Sequence, residues 1–124
     1  MDIFKIINSY SRKEALADGI LIDITGMAKQ TGFIFPVAIT REAMRIITDI
    51  PAEIGYQDKN GRLFDMLFMA NLFARNWIGD RGEFSVILPH WNNNKIVDKA
   101  IFKMIIGPGD NLEPVITIML PNED

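Results

Sequence analysis

Residues 105–120 constrain this chain more than any other stretch. Ile105-Ile106 enters the reversal Gly107-Pro108-Gly109-Asp110-Asn111, and Val115-Ile116-Thr117-Ile118-Met119-Leu120 leaves it. Two runs rich in β-branched residues, joined by Gly, Pro, Asp and Asn, specify an antiparallel hairpin. The glycines supply positive φ, and Asp110 or Asn111 can bond the loop backbone itself. A phosphate-cradling reading fits poorly. Such a loop opens a helix, whereas this one feeds a strand, and Asp110 would repel the anion. Loop tips are favoured contact points, which makes Asp110 and Asn111 candidate binding residues.

More strands are legible upstream. Phe84-Ser85-Val86-Ile87-Leu88 reads as one, and residues 100–106 as another, where Ala100, Phe102, Met104 and Ile106 alternate with Lys99, Ile101, Lys103 and Ile105. One apolar face and one mixed face is the pattern of an antiparallel sheet with one side against helices. Asn92-Asn93-Asn94-Lys95 reads as the exposed loop between these strands. Nearer the start, Ser11-Arg12-Lys13-Glu14 fits a capping box, and Gly19 can end the short helix it opens. Residues 20–24 form a short strand. Thr25 opens a helical turn stopped at Gly32, and residues 33–39 are extended, with Pro36 confining them to an edge or a strand end. Thr40 caps a second helix carrying Glu42 in its first turn, and Pro51 stops it.

The longest helix is expected over residues 63–77. Its apolar positions 63, 66, 67, 70, 73, 74 and 77 form one stripe, and Phe64, Phe68 and Leu72 form another some way round the cylinder. A helix with two apolar faces is packed between the sheet and other helices, or its second face meets another chain. The first arrangement is the expectation; the second implies a homodimer. The architecture that follows is α+β: helices packed on one face of a C-terminal three-stranded antiparallel meander, with short N-terminal strands, in a single domain over residues 1–124.

Composition removes several functions. The chain has no cysteine, so thiolate nucleophiles, disulfides and cysteine-bound zinc are excluded. Its net charge of -3 and dispersed basic residues disfavour nucleic acid. A patch of Arg12, Lys13, Arg41, Arg45 and Arg62 is the best available for such a role. The start, Met1-Asp2-Ile3-Phe4-Lys5, lacks the basic and then apolar character of a secretory signal, and no apolar run of ~18 residues would span a membrane. A cytoplasmic location is expected.

Residues able to carry chemistry are sparse. His90 is the only histidine, in Leu88-Pro89-His90-Trp91, and reads as a loop histidine after a strand that Pro89 ends. Asp65, His90, Asp110 and Glu113 are the candidate catalytic residues for a hydrolase-like site, should the fold gather them. No metal or cofactor is expected. Asp23, flanked by isoleucines, reads as the solvent face of an alternating strand. Asn60-Gly61 signals a tight turn, and Tyr56, Gln57, Asp58 and Arg62 make a polar patch around it. Tyr56 and Arg62 join Asp110 and Asn111 as candidate binding residues, and Arg62 is spaced to pair with Asp65.

Four blocks carry a wider resemblance. They are Ser9-Tyr10-Ser11-Arg12 with Asp18-Gly19; Gly32-Phe33 with Phe35-Pro36-Val37-Ala38-Ile39-Thr40; Gly61-Arg62-Leu63 with Asp65-Met66-Leu67 and Met69-Ala70; and Gly107-Pro108-Gly109-Asp110-Asn111 with residues 113–121. Together they resemble an uncharacterised family of small bacterial proteins carried on plasmids and other mobile elements. The resemblance spans almost the whole chain and implies a mobile-element setting without implying a reaction. With no catalytic constellation legible, the expected function is a non-enzymatic protein–protein interaction module, an accessory or anti-defence factor that binds a host or element-encoded protein. The alternatives are a small hydrolase-like enzyme with an acidic/His site and a nucleic-acid-associated accessory protein.

Overall fold

A computed structural model describes residues 10–77 and 79–123; the start of the chain read above for a leader, and Ser9, lie outside them. The described elements are α1 (Arg12–Ala17), β1 (Leu21–Asp23), α2 (Thr25–Gln30), β2 (Val37–Thr40), α3 (Arg41–Thr48), α4 (Lys59–Arg75), β3 (Arg81–Asn92), β4 (Lys95–Pro108) and β5 (Pro114–Met119). The fold is α+β. Its five strands make one mixed sheet in the order β1-β2-β5-β4-β3. β3 with β4, and β4 with β5, pair antiparallel; β2 runs parallel to β5, and β1 antiparallel to β2.

Alternation along the strands makes two layers of side chains. Val37 and Ile39 of β2, Ile116 and Ile118 of β5, Phe102 and Met104 of β4, and Phe84 and Val86 of β3 all enter the main core. Ala28 of α2, Ala43 and Ile47 of α3, and Leu63, Met66, Leu67 and Ala70 of α4 cover them. The opposite parity serves a second, smaller core, where Leu21 and Ala38 lie under Ala15 of α1. The expectation that all helices gather on one face is therefore corrected: α1 packs on the reverse side. The reason is local, because β1 and β2 carry small or apolar side chains on both parities and need covering on both.

The C-terminal strands belong to a larger sheet than a three-stranded meander. β5 keeps a free edge after its hairpin with β4, and β2 fills it: Ile116 N–H bonds Pro36 O at 2.9 Å at the start of the parallel ladder. β3 and β4 are also longer than their apolar cores suggest. The hairpin turns at Asn93 and Asn94, both with positive φ (52° and 65°), which asparagine tolerates better than most residues. Pro89 does not end β3. The register shifts between Ile87 and His90, so one extra β3 residue absorbs the proline and the strand continues.

Helix starts follow their caps. Ser11 Oγ accepts from Glu14 N–H and Thr40 Oγ1 from Ala43 N–H, as the sequence patterns imply. The α4 start differs from its reading. Asp58 is the cap, its Oδ1 accepting from Gly61 N–H at 2.6 Å, so Asn60-Gly61 lies in the first helical turn rather than in a tight turn before it.

Candidate functional site

The acidic residues of the terminal loop serve the fold. Asp110 accepts from the N–H groups of Arg12 (2.8 Å) and Lys13 (3.0 Å), the first two residues of α1. Those amides have no partner within their own helix, so a carboxylate from a loop some hundred positions away satisfies them. The two N–H bonds hold the Asp110 carboxyl below its ordinary range. Glu113 folds back within the loop, accepting from Asn111 N–H at 2.9 Å. Beside it, the buried Arg12 guanidinium donates to Thr117 Oγ1 (2.8 Å) and Ile116 O (2.9 Å), and burial pulls its pKa down against the attraction of Asp110. The loop thus clamps α1 to β5.

Arg62 is also structural. It is 1% exposed, and its Nε donates to Ile47 O (2.7 Å), Nη2 to Ile46 O (2.9 Å), and Nη1 to Gln57 Oε1 (2.7 Å) and Pro89 O (2.8 Å). Ile46 and Ile47 sit in the last turn of α3, where carbonyls lack helical partners. One guanidinium therefore caps α3 and ties it to α4 and β3. The expected exposed pair of Arg62 with Asp65 is not formed. Helical spacing contained a signal for this, since position 62 continues the stripe 66, 70 and 73 by one turn.

His90 lies in β3, buried, instead of in a loop after it. Its Nδ1 is 2.7 Å from Leu88 O, and since a carbonyl only accepts, Nδ1 carries the hydrogen. His90 pairs with Val97 near the start of β4, whereas Asp110 and Glu113 follow Pro108 at its other end. At ~3.3 Å per residue these positions stand roughly 35 Å apart along the strand. The four acid/His candidates do not share a site. Tyr56, Arg62 and Asp65 do line one shallow hollow of about 280 Å³ at the start of α4. Of the five-residue basic patch, Arg12 and Arg62 are buried on protein oxygens, and Arg45 pairs with Glu42 at 3.3 Å. Asp23 is exposed as expected, and bonds from Thr25 Oγ1 and Thr25 N–H lower its carboxyl pKa.

The surface that no internal role explains lies along α4 and β3. The second apolar face of α4 is not buried as expected. Phe64 is 41% exposed, Phe68 48%, Met69 39% and Leu72 39%. The sheet takes only one side of a helix packed along it, and α2 and α3 meet α4 on its sheet side, so the outer stripe is left uncovered. Two adjoining hollows run between this helix and β3. One, of about 560 Å³, is lined by Met69, Leu72, Phe73, Glu83, Phe84, Ser85, Lys99 and Ile101. The other, of about 370 Å³, is lined by Asp65, Phe68, Met69, Ser85, Val86 and Ile87. They share Met69 and Ser85 and form one open groove with Asp65 at one end and Glu83 at the other. Ile87 and Ile101, apolar on the outward parity of their strands, were its overlooked signal in the sequence. Such a groove offers apolar contact and hydrogen bonds, with no convergent acid–base pair.

Among the described residues no helix is long and apolar enough to cross a membrane. The chain belongs to a family of unknown function (DUF6573), whose profile matches residues 1–124. No curated protein and no solved structure matches it.

Proposed function

We propose that this chain is a non-enzymatic interaction module that engages a partner protein through the α4–β3 groove. The observation that carries this reading is the row of half-exposed apolar side chains on α4, continuous with Ile87 and Ile101 beside it. Large apolar side chains grouped on one face, with polar residues at the rim, are characteristic of protein contact surfaces. The resemblance to proteins of plasmids and other mobile elements supports a setting: an accessory or anti-defence factor that binds a host protein in the cytoplasm. The hydrolase alternative gathers no support, with His90 at the far end of β4 from Asp110 and Glu113. The nucleic-acid alternative loses Arg12 and Arg62 to the interior.

Capture from host lysate with tagged full chain tests the reading when paired with surface variants. Phe68→Asp and Leu72→Asp are expected to abolish recovery of a discrete partner. Leu112→Asp, at a still more exposed apolar residue in the terminal loop, is expected to leave it intact. Recovery indifferent to both groove variants, with circular dichroism unchanged, would overturn the proposal.

A further inference from the structure

The backbone of β3 adds a second recognition element to the apolar wall. Among the described residues β3 is the last strand of the sheet, so one of its sides has no strand neighbour there. Ile106 N–H donates to Asp80 O at 2.8 Å, one step before the Arg81–Ile105 pair. Antiparallel pairing alternates, so Gly82, Phe84 and Val86 bond to β4, while the amides and carbonyls of Glu83, Ser85 and Ile87 point outward. The edge is closed at both ends of this stretch. Trp77 Nε1 donates to Arg81 O at 2.8 Å, and at the other end Pro89 has no N–H and the register shifts. Between them lies a window from Glu83 to Ile87, ~17 Å long, without the lysine, proline or bulge that usually guards an edge strand.

We infer that this window takes an extended segment of the partner as a sixth strand, whose side chains facing α4 enter the groove. The inference rests on the protein-binding reading and names the partner's chemistry: a linear segment of about five residues, apolar at alternate positions, with a basic residue next to Asp65. Alternate side chains of such a strand meet Phe68, Met69 and Leu72 on one side and Ile101 on the other. Asp65, at the Ile87 end, is the charge on the α4 wall and complements a cation there. A second copy of this chain is the poorer occupant. Its own β3 would have to offer Phe84 and Val86 to the groove, and these are 7% and 3% exposed beneath its own α4.

The probe is a blocked heptapeptide with arginine first and then threonine alternating with leucine or valine, titrated against the isotope-labelled full chain. The amide resonances of Glu83, Ser85 and Ile87 are expected to shift together with those of Met69 and Leu72. Methylating the peptide's pairing amides, or the edge variant Ser85→Pro, is expected to weaken binding about tenfold. Replacing the arginine by glutamate weakens it several-fold. No shift at the three outward amides at millimolar peptide overturns strand addition. If partner capture is lost in Phe68→Asp yet survives Ser85→Pro, strand addition falls and the protein-binding reading stands; if capture survives both, both fall. A dimer in sedimentation that Ser85→Pro dissociates would overturn the linear segment in favour of a second copy.

Discussion

Asp110 shows how a residue in a conspicuous loop can have a structural task with a measurable pH signature. Its carboxylate accepts from two backbone N–H groups of α1, which lowers its pKa in the folded chain from the ordinary 3.8. The unfolded chain then binds the proton more readily than the folded one. The stabilisation is complete above the unfolded value and is lost as pH falls through the lower folded value. Asp110→Asn is expected to flatten the loss of stability below about pH 4. Asp23, lowered by its bonds from Thr25, retains its own share of that slope. Thermal melts of both proteins from neutral pH downward check this; parallel curves would mean that the Asp110 clamp is absent in solution. Arg62 serves the same end from the inside, one cation placed on three carbonyls that α3 and β3 leave open and on the side-chain oxygen of Gln57.

At the level of elements, α4 is a helix with one dry face and one wet apolar face. Leu67 is fully buried against the sheet, and its neighbour Phe68 points the other way. Leu67→Ala is therefore expected to cost about 2–5 kcal/mol in urea denaturation. Phe68→Ala is expected to cost only roughly 1 kcal/mol, since half of the ring is already in water. Equal losses would mean that the outer face is covered in the isolated chain. β3 lies beneath this helix and is close-packed against it at Gly82, where an added Cβ would come 2.7 Å from Phe73 Cζ. The rings of Phe73, Trp77, Phe84 and Phe102 continue that contact into the sheet, with neighbouring centroids 5.6 to 6.0 Å apart. This packing fixes the height of α4 above the β3 edge and so the width of the groove.

Over the whole molecule, β5 ties the fold together. It is the central strand, bonded on one side to β4 by a local hairpin and on the other to β2, whose residues Val37 to Ile39 lie far back in the chain. Non-local parallel pairing is the slow and cooperative part of such a topology. The pairing amides of β5 are expected to exchange only through global unfolding, while those of the three-residue edge strand β1 exchange through local opening. Native-state hydrogen exchange in mild denaturant separates the two; equal protection in β1 and β5 would contradict the arrangement.

The amino-acid sequence by itself determined the parts that depend on neighbours in the chain. The pairing of the terminal strands, the caps at Ser11 and Thr40, the positive φ at Gly19 and the buried stripe of α4 follow from local backbone chemistry and periodicity, although in the terminal reversal the positive φ falls on Leu112 (66°) and not on Gly107 or Gly109 as expected. What it left open depends on partners distant in sequence. The parallel seating of β2 on β5, the Asp110 clamp on α1 and the anchoring of Arg62 each join residues whose spacing carries no period. The exposure of Phe68 belongs to the same class. A hydrophobic pattern specifies that a face is apolar, and only the number of layers available to cover it decides whether that face meets protein or water.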